Sequence, residues 1–217
     1  MNKLQGIFFK DFKTSFIPEI LKEIYRDRIY APYADNIKDG IVADFGGNVG
    51  LFTQFACETA KHVFVMEPSA DHFATIEYML KHNGITNVTP IKQALSHENG
   101  EADFFTNENV TMDSLFSNLS GNKPEPEKVQ TITMDKFMEE NKIDRINFAK
   151  IDIEGQEFAV LASEGFEKVA DRIDALVVEL HNWANISYSQ AIACLEDNGF
   201  ETTLIPSEAT IYGARRI

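Results

Sequence analysis

Cysteines and long apolar runs are both scarce in this sequence, and each scarcity excludes a class of protein. Its 217 residues include 2 cysteines, Cys57 and Cys194, both in stretches of helical periodicity. A secreted domain of this size usually carries more thiols for disulfide pairing, so we expect both to be buried and reduced. The N-terminus lacks an apolar signal segment, and no stretch approaches the length of a membrane span. The sequence therefore predicts a cytoplasmic protein without a membrane span.

Basic residues are few as well. Lys and Arg number 20 against 34 for Asp and Glu, which gives a formal net charge of -14 at pH 7. This charge repels a phosphate backbone, and no basic run provides a local exception, so we expect no nucleic-acid partner. A small molecule or a neutral acceptor fits the charge better, and the sequence leaves the oligomeric state open.

Apolar residues make up 44% of the chain, which is ample for one continuous core. From residue 41 onward, short apolar runs alternate with amphipathic segments, and this alternation is typical of a parallel sheet flanked by helices. We predict a doubly wound, Rossmann-like α/β domain over 41–217 that ends in a hairpin. Residues 1–40 are predicted to form an N-terminal helical cap, and residues 106–128, rich in Asn, Ser, Gly, Glu and Pro, a flexible loop.

The elements predicted for the sheet and its helices follow from these periodicities. The main predicted strands are Ile41 to Phe45, His62 to Glu67, Asn87 to Ala94, Ile146 to Asp152 and Ala175 to His181. The main predicted helices are Val49 to Ala60, Ser69 to His82, Met134 to Asn141, Gly155 to Ser163 and Tyr188 to Asn198.

A glycine-rich segment joins the first predicted strand to the first helix. It reads Asp44-Phe45-Gly46-Gly47-Asn48-Val49-Gly50, and we call it the glycine turn. Ligands of parallel sheets bind beyond the carboxyl ends of the strands, and this turn is the usual place. Gly46, Gly47 and Gly50 leave the backbone accessible to a ligand, although a tight turn without a ligand is the alternative.

The spacing within the glycine turn argues against a dinucleotide. The pattern G-x-G-x-x-G fails in both registers, because either Asn48 and Leu51 or Val49 and Phe52 stand where glycines belong. An acid at the strand end, Asp44, and an asparagine between two glycines favour a ligand with an ammonium and a carboxylate group. A nicotinamide-dependent oxidoreductase is therefore disfavoured.

A carboxylate ends the second predicted strand. Glu67 is followed at once by Pro68, and a carboxylate in this place can accept hydrogen bonds from both ribose hydroxyls. A solvated side chain is the alternative for a lone glutamate. The joint occurrence of Glu67 and the glycine turn, in the expected order, predicts a nucleoside site.

A second group of charged residues surrounds the end of the fourth strand. The chain reads Lys150-Ile151-Asp152-Ile153-Glu154-Gly155-Gln156-Glu157, and the next strand ends in Glu179-Leu180-His181. Strand periodicity places residues 150, 152 and 154 on one face, which is costly in a buried strand unless they have partners or a ligand. The alternative is a surface strand whose buried face is formed by the two isoleucines.

Together these motifs resemble the FkbM family of S-adenosylmethionine-dependent methyltransferases over residues 40–183. The segments that carry the resemblance are the glycine turn, Glu67-Pro68, Gln93-Ala94-Leu95-Ser96, Val129 to Phe137 with its Met134-Asp135, Lys150 to Glu157, which is the most specific, and Glu179-x-His181. The resemblance implies a class I methyltransferase sheet of seven strands with the last antiparallel. It also implies S-adenosylmethionine as cofactor and O-methylation of a hydroxyl on a sugar or small metabolite.

Two points stay open beside this resemblance. Gly47 departs from the family, which more often has alanine there, and we expect the glycine to widen the loop without harm. A catalytically silent protein that binds S-adenosylmethionine or a nucleoside is the alternative function.

Roles for individual residues follow from the resemblance. We expect the glycine turn to hold the methionine part of the cofactor, Glu67 its ribose and Gln93-Ala94 the adenine edge, with Asp152 nearest the methyl group. The predicted cofactor-binding residues are Asp44, Gly46, Gly47, Asn48, Gly50, Glu67, Pro68, Gln93, Ala94 and Asp152.

The predicted catalytic residues are His181, Asp152, Lys150 and Glu154. His181 is the expected general base, because an unperturbed histidine pKa of about 6.5 suits proton acceptance at neutral pH. A strand-end histidine bonded to the backbone is the alternative. Lys150 and Glu154 either orient the acceptor or pair with each other. We predict no metal, and the alternative is a divalent cation on Asp152, Glu179 and His181.

Overall fold

The computed structural model describes residues 2–4, 7–9, 17–105, 126–181, 187–207 and 210–217. Its helices and strands in chain order are β1 (Asn2–Leu4), β2 (Ile7–Phe9), α1 (Ile17–Leu21), a π-helix (Lys22–Asp27), a 3-10 helix (Ala31–Tyr33), α2 (Ala34–Ile37), β3 (Ile41–Phe45), α3 (Leu51–Cys57), β4 (His62–Met66), α4 (Ala70–Asn83), β5 (Val88–Ile91), β6 (Ala94–Leu95), β7 (Gly100–Phe104), β8 (Glu127–Ile132), α5 (Met134–Glu140), β9 (Phe148–Ile151), α6 (Glu157–Leu161), α7 (Glu164–Glu167), a 3-10 helix (Ala170–Arg172), β10 (Ala175–Glu179), α8 (Tyr188–Asp197), β11 (Phe200–Ile205) and β12 (Ile211–Arg216).

The main sheet has seven strands in the order β11-β12-β10-β9-β3-β4-β5. Strands β5, β4, β3, β9 and β10 pair in parallel, whereas β12 runs antiparallel to both β10 and β11. This is the predicted seven-stranded sheet with its last strand antiparallel. The chain proceeds outward from β3 on one side and returns to β9 on the other, so the order reverses between these two strands. Ligands of such sheets bind at the carboxyl ends of the strands beside that point.

Helices cover both faces of the main sheet. On one face, Phe45 packs with buried residues of α5, α6, α7 and α8, among them Phe137 and Phe166. On the other face, Val42 packs with residues of α3 and α4, among them Phe52 and Ile76. Strand periodicity sends alternate residues of β3 to opposite faces, and both faces are buried, which explains why this strand is apolar apart from Asp44 near its carboxyl end.

A second, three-stranded sheet has the order β6-β8-β7. The predicted strand Asn87 to Ala94 is wrong in its second half, because β5 ends at Ile91 and Ala94 pairs with β8 instead. Pro90 lacks an N–H group and suits β5 only because that strand lies at the edge of the main sheet. The chain then leaves this sheet and begins the smaller one.

The N-terminal segment is helical in part. Residues 17–37 form short helices whose buried side chains belong to the same core as those of β3 and β4, namely Ile24, Ile29, Tyr30, Tyr33 and Ile37. Asn2–Leu4 and Ile7–Phe9 instead pair as antiparallel strands, so a fully helical cap over 1–40 is wrong there. The apolar and aromatic run of β2 has high strand propensity. The division of the chain at residue 40 stays a prediction.

The predicted loop over 106–128 is too long at its C-terminal end. Glu127 and Lys128 belong to β8, where Lys128 Nζ lies 2.7 Å from Oδ1 of the cross-strand Asp103. The opposite charges of Lys128 and Asp103 favour this strand pairing, so β8 begins inside the predicted loop, at Glu127. Residues 106–125 lie outside the described residues.

The two cysteines lie in helices, as expected. Cys57 is in α3 and Cys194 in α8, and both thiols are free. They are half-buried, so the expectation of fully buried thiols is wrong. Within the ranges that the structure describes, no helix is long and apolar enough to cross a membrane.

Candidate active site

A cavity of about 550 Å³ opens at the carboxyl edge of the main sheet, where the chain leaves β3, β4 and β9. Its lining includes eight predicted site residues, which are Gly46, Asn48, Glu67, Pro68, Gln93, Ala94, Asp152 and Glu154. It also includes five residues that were not among the predicted site residues, which are Met66, His72, Leu95, Phe104 and Ile153. Phe104 comes from the second sheet, so no pattern near the glycine turn could have indicated it. The other predicted residues, Asp44, Gly47, Gly50, Lys150 and His181, are absent from the lining.

Gly46 occupies a position that no other residue fits. Its φ is +80°, and a Cβ atom there would lie 1.7 Å from the carbonyl oxygen of Asp152. The N–H groups of Gly46 and Gly47 both donate to the carbonyl oxygen of Met66, each at 3.0 Å. The glycine turn is therefore bonded to the end of β4 and packed against the residue that follows β9.

Gly47 has a packing role that the sequence did not suggest. A Cβ atom at this position would lie 2.3 Å from Cγ2 of Val65 and 3.2 Å from Cδ1 of Ile76. The expectation that glycine only widens the loop is wrong, because Gly47 allows the turn to approach β4 and α4 closely. Gly47 does not line the cavity, but its packing positions the glycine turn, which does.

Glu67 holds the glycine turn in place through backbone hydrogen bonds. Its Oε2 accepts from the N–H of Asn48 at 2.8 Å, and its Oε1 accepts from the N–H of Ser69 at 2.8 Å. Asn48 has a φ of 48°, a left-handed conformation that asparagine tolerates better than most residues. A carboxylate oxygen has two acceptor sites, so Glu67 can still accept hydrogen bonds from ribose hydroxyls. The sequence suggested only this second role.

Asp44 and Lys150 form a buried ion pair behind the glycine turn. Asp44 is fully buried, its Oδ2 accepts from Thr53 Oγ1 at 2.5 Å, and its Oδ1 lies 3.7 Å from Lys150 Nζ. Lys150 Nζ donates to the Gly46 carbonyl at 3.1 Å and to Asp152 Oδ2 at 3.0 Å. Lys150 thus joins the ends of β3 and β9, and in this arrangement its side chain pairs with Asp152 rather than with Glu154.

This network sets the pKa values of its two aspartates in opposite directions. Burial raises the pKa of Asp44, although Lys150 and the Thr53 hydroxyl oppose the shift. Burial would also raise the pKa of Asp152, but the charges of Lys150 and His181 outweigh it and hold that pKa below its usual value. Asp152 therefore carries a negative charge at the wall of the cavity.

Acidic side chains surround the ring of His181 at the ends of β9 and β10. Its Nδ1 lies 2.9 Å from Glu157 Oε1, and its Nε2 lies 3.4 Å from Glu154 Oε2, 3.7 Å from Glu179 Oε1 and 3.9 Å from Asp152 Oδ1. We call these five residues the His181 cluster. A smaller cavity of about 230 Å³ lies beside Glu157 and His181, so the cluster separates it from the larger cavity.

The proton affinities in this cluster are far from ordinary. Burial raises the pKa of Glu154 to about 9 and, with repulsion from Asp152, that of Glu179 to about 8. Burial alone would lower the pKa of His181, but its hydrogen bond to Glu157 and the nearby carboxylates raise it to about 10. The ordinary pKa that made His181 the expected base is therefore a wrong premise for this cluster.

Glu154 belongs to a turn, whereas the sequence pattern predicted that it continues a strand. Strand β9 ends at Ile151, so Glu154 does not continue a strand face; it has a φ of 52° in a left-handed turn. Glu157 Oε1 fixes that turn by accepting from the N–H groups of Ile153 at 3.1 Å and Gly155 at 3.0 Å. Strand periodicity was the wrong reason for grouping residues 150, 152 and 154, but the turn still brings Glu154 to His181.

The N-terminal segment also approaches this site. Burial raises the pKa of Glu23, and repulsion from Asp152 raises it further. The π-helix of residues 22–27 therefore lies within electrostatic range of the cluster, although the sequence gave no signal for Glu23.

Comparisons with known proteins agree with this geometry. A 178-residue stretch is 25% identical to the hexuronic acid methyltransferase AglP of Haloferax volcanii, covering 78% of this chain and 71% of that protein. The FkbM methyltransferase structure from Methylobacillus flagellatus matches with a TM-score of 0.55 at 13% identity, over 80% of this chain and 43% of that one. Magnesium protoporphyrin IX methyltransferase from Synechocystis PCC 6803, solved with bound S-adenosylmethionine, matches with a TM-score of 0.54 at 13% identity, over 96% and 87% of the two chains.

These structural likenesses, at such low identity, show the class I methyltransferase fold. The sequence evidence goes further, because the model of the methyltransferase FkbM domain matches residues 44–202. That span begins at the first residue of the glycine turn, includes the whole His181 cluster and extends into β11. The predicted family is confirmed: this chain belongs to the FkbM methyltransferase family.

Proposed function

We propose that this chain transfers a methyl group from S-adenosylmethionine to a hydroxyl of a sugar or small metabolite, with hexuronic acids as the first acceptors to test. The observation that carries the proposal is that Asp152 and Glu154 belong both to the lining of the larger cavity and to the His181 cluster. A cavity suited to a nucleoside therefore adjoins a group of side chains that can handle a proton.

The cavity fits the cofactor in its lining. Gly46 presents bare backbone, and Glu67 retains acceptor sites for two ribose hydroxyls. Met66, Leu95 and Phe104 provide apolar walls of the kind that an adenine ring requires.

The remaining predicted cofactor residues have assigned places in this proposal. Asn48, Pro68, Gln93 and Ala94 line the cavity and would contact the cofactor directly. Asp44, Gly47 and Gly50 would support the cavity without lining it. Asp44 is fully buried against Thr53 and Lys150, and the two glycines allow close packing with β4 and α4.

S-adenosylmethionine, when bound, supplies a methyl group on a sulfonium, so that the C–S bond breaks and its electron pair returns to sulfur as the acceptor O–C bond forms. The protein then has to align the acceptor oxygen and remove its proton. We assign both tasks to the His181 cluster, where Asp152 and Glu154 face the cavity and His181 lies behind them. Lys150 fixes Asp152 in position through the 3.0 Å contact.

Hexuronic acids come first because the Haloferax volcanii relative is named for them. The test is calorimetry with S-adenosylhomocysteine and with NAD, followed by turnover of S-adenosylmethionine with a panel of hydroxylated acceptors that includes hexuronic acid glycosides. We expect saturable binding of S-adenosylhomocysteine, no binding of NAD, and turnover with at least one sugar. Binding without turnover on any acceptor would favour the catalytically silent protein, and binding of NAD alone would overturn the proposal.

A matched pair of variants makes the binding test specific. Glu67→Gln places an NH₂ group where one of two backbone N–H groups now donates, so we expect affinity for S-adenosylhomocysteine to fall roughly 30-fold, about 2 kcal/mol. Glu201→Gln removes the same charge from an exposed position on β11 and should leave affinity unchanged. Equal affinities in the two variants would contradict the ribose and turn-bracing roles of Glu67.

A further inference from the structure

The ligating atoms of the His181 cluster have the spacing of a coordination sphere. One atom each from Asp152, Glu154 and His181 all lie within 4.8 Å of one another. His181 Nε2 is 3.4 Å from Glu154 Oε2, 3.9 Å from Asp152 Oδ1 and 3.7 Å from Glu179 Oε1. Two ligands on one cation, each about 2.0–2.4 Å from it, lie at most about 4.8 Å apart. The observed spacing therefore leaves room for a single ion between these atoms.

The orientation of His181 is a second observation. Its Nδ1 donates to Glu157 Oε1 at 2.9 Å, so Nε2 is the ring nitrogen directed at the other carboxyl groups, and a cation bound there would displace its proton. Glu157 is 1% exposed and is itself fixed by the N–H groups of Ile153 and Gly155. Histidines that bind metals almost always donate their other ring N–H to such an outer partner.

The carboxyl groups around His181 converge on one ring nitrogen. Lys150 binds Oδ2 of Asp152, whereas Oδ1, the other oxygen, faces His181. Glu154 and Glu179 face the same ring nitrogen from other directions. A divalent ion beside this nitrogen would favour the charged form of these carboxyl groups.

We infer that the His181 cluster binds one divalent cation of the Mg²⁺ or Mn²⁺ class, through Asp152, Glu154 and His181. Carboxylate oxygens with one imidazole suit these ions, and Mn²⁺ accepts the nitrogen more readily than Mg²⁺ does. The sequence left open a cation on Asp152, Glu179 and His181; the spacing supports Glu154 in place of Glu179 as the second carboxylate.

The position of the ion gives it a role in the reaction, and this step rests on the proposed function. Asp152 and Glu154 line the larger cavity, so the open coordination positions of the ion would face that cavity. Two neighbouring oxygens of a sugar, such as a hydroxyl and a carboxylate of a hexuronic acid, can fill them together. A coordinated hydroxyl loses its proton more easily, as metal-bound water does. An acidic acceptor is also no longer repelled by the carboxylates of the cluster.

Binding of Mn²⁺ to the full chain, first treated with EDTA and then freed of chelator, tests the inference. The electron paramagnetic resonance signal of free Mn²⁺ reports binding without cofactor, acceptor or turnover. We expect one site per chain, and an affinity at least tenfold weaker in His181→Ala and in Glu154→Gln. Glu157→Gln, which removes the outer partner of the ring, should weaken it by about 10–100-fold. Glu201→Gln, an exposed charge change, should leave it unaltered.

Two results would overturn the inference: no saturable binding by the unaltered protein, or equal affinity in the cluster variants and in Glu201→Gln. Circular dichroism and thermal unfolding establish that each variant is folded. If His181→Ala does not fold, the isosteric Glu154→Gln and Glu157→Gln decide the matter.

Calorimetry with S-adenosylhomocysteine on the same EDTA-treated protein separates this inference from the proposed function. If S-adenosylhomocysteine binds and Mn²⁺ does not, the cation site is ruled out and the methyltransferase proposal stands. If Mn²⁺ binds and S-adenosylhomocysteine does not, the methyltransferase proposal is ruled out and the cation site stands.

Discussion

The two ends of the candidate active site are built by different means. The proposed cofactor end consists of the glycine turn and Glu67, and its contacts are hydrogen bonds of 2.8–3.0 Å from backbone N–H groups between segments close in sequence. The proposed acceptor end is the His181 cluster, which joins side chains from the turn after β9, from α6 and from the end of β10. Backbone N–H groups hold the first end together, whereas the second brings several acidic side chains together.

This difference indicates which kinds of substitution each end should tolerate. Backbone hydrogen bonds constrain shape, so the cofactor end depends on which residues fit sterically. Crowded carboxylates constrain charge, so the acceptor end depends on what neutralises them. Steric changes should therefore affect folding and cofactor affinity together, whereas charge changes at cluster residues outside the lining of the larger cavity should affect turnover with little change in cofactor affinity.

The largest effect is expected from His181→Ala, measured as turnover and cofactor affinity in the same preparation. The change removes the nitrogen on which Asp152, Glu154 and Glu179 converge, so kcat should fall by about 100-fold or more. Affinity for S-adenosylhomocysteine should be nearly unchanged, because His181 is not part of the lining of the larger cavity. A parallel loss of affinity would show that the two ends are not separable.

A smaller but still large effect is expected from Gly46→Ala. The added Cβ would lie 1.7 Å from the Asp152 carbonyl at a φ of +80°, so we expect a loss of roughly 3 kcal/mol or more in the free energy of unfolding. Gly84→Ala is the matched control, because its φ is +64° and no atom lies within 4 Å of the added Cβ. Backbone strain alone should cost it about 1 kcal/mol.

Urea unfolding of both alanine variants separates the steric contribution from the conformational one. Equal losses would mean that the close approach of the glycine turn to Asp152 is unimportant. A larger loss in Gly46→Ala would show that the cofactor end is set by backbone packing.

The cofactor end could be predicted from the sequence because its signals are local. The glycine turn, Glu67 and Gln93 each follow a strand, and the carboxyl ends of parallel strands meet at one edge. Seven strands and an antiparallel last strand followed from the family resemblance, and the sheet has both. The bracing of Asn48 by Glu67 could not be predicted, since a motif indicates a residue type and leaves its second partner open.

At the acceptor end, the sequence indicated which residues lie together better than it indicated their pKa values. Lys150, Asp152, Glu154 and His181 all lie there, yet the basis for their roles was wrong because pKa values depend on burial and on neighbours from distant segments. Glu157 and Glu23 reach the site from a helix start and from the N-terminal segment. No spacing in the sequence indicates that the chain folds back in this way.

The smallest expected effect, Gly47→Ala, refines the comparison within the cofactor end. A Cβ here would lie 2.3 Å from Val65 Cγ2, a side-chain atom that can shift, whereas the added Cβ in Gly46→Ala meets backbone. We expect a loss of about 1–2 kcal/mol in the free energy of unfolding, as in other mildly overpacked cores. Because the strain is between two side chains, Val65→Ala in the same chain should remove part of it, giving a double variant more stable than the sum of the single losses predicts. If urea unfolding shows that the losses in the free energy of unfolding simply add, the strain lies in the backbone of the turn, and Gly47 then resembles Gly46.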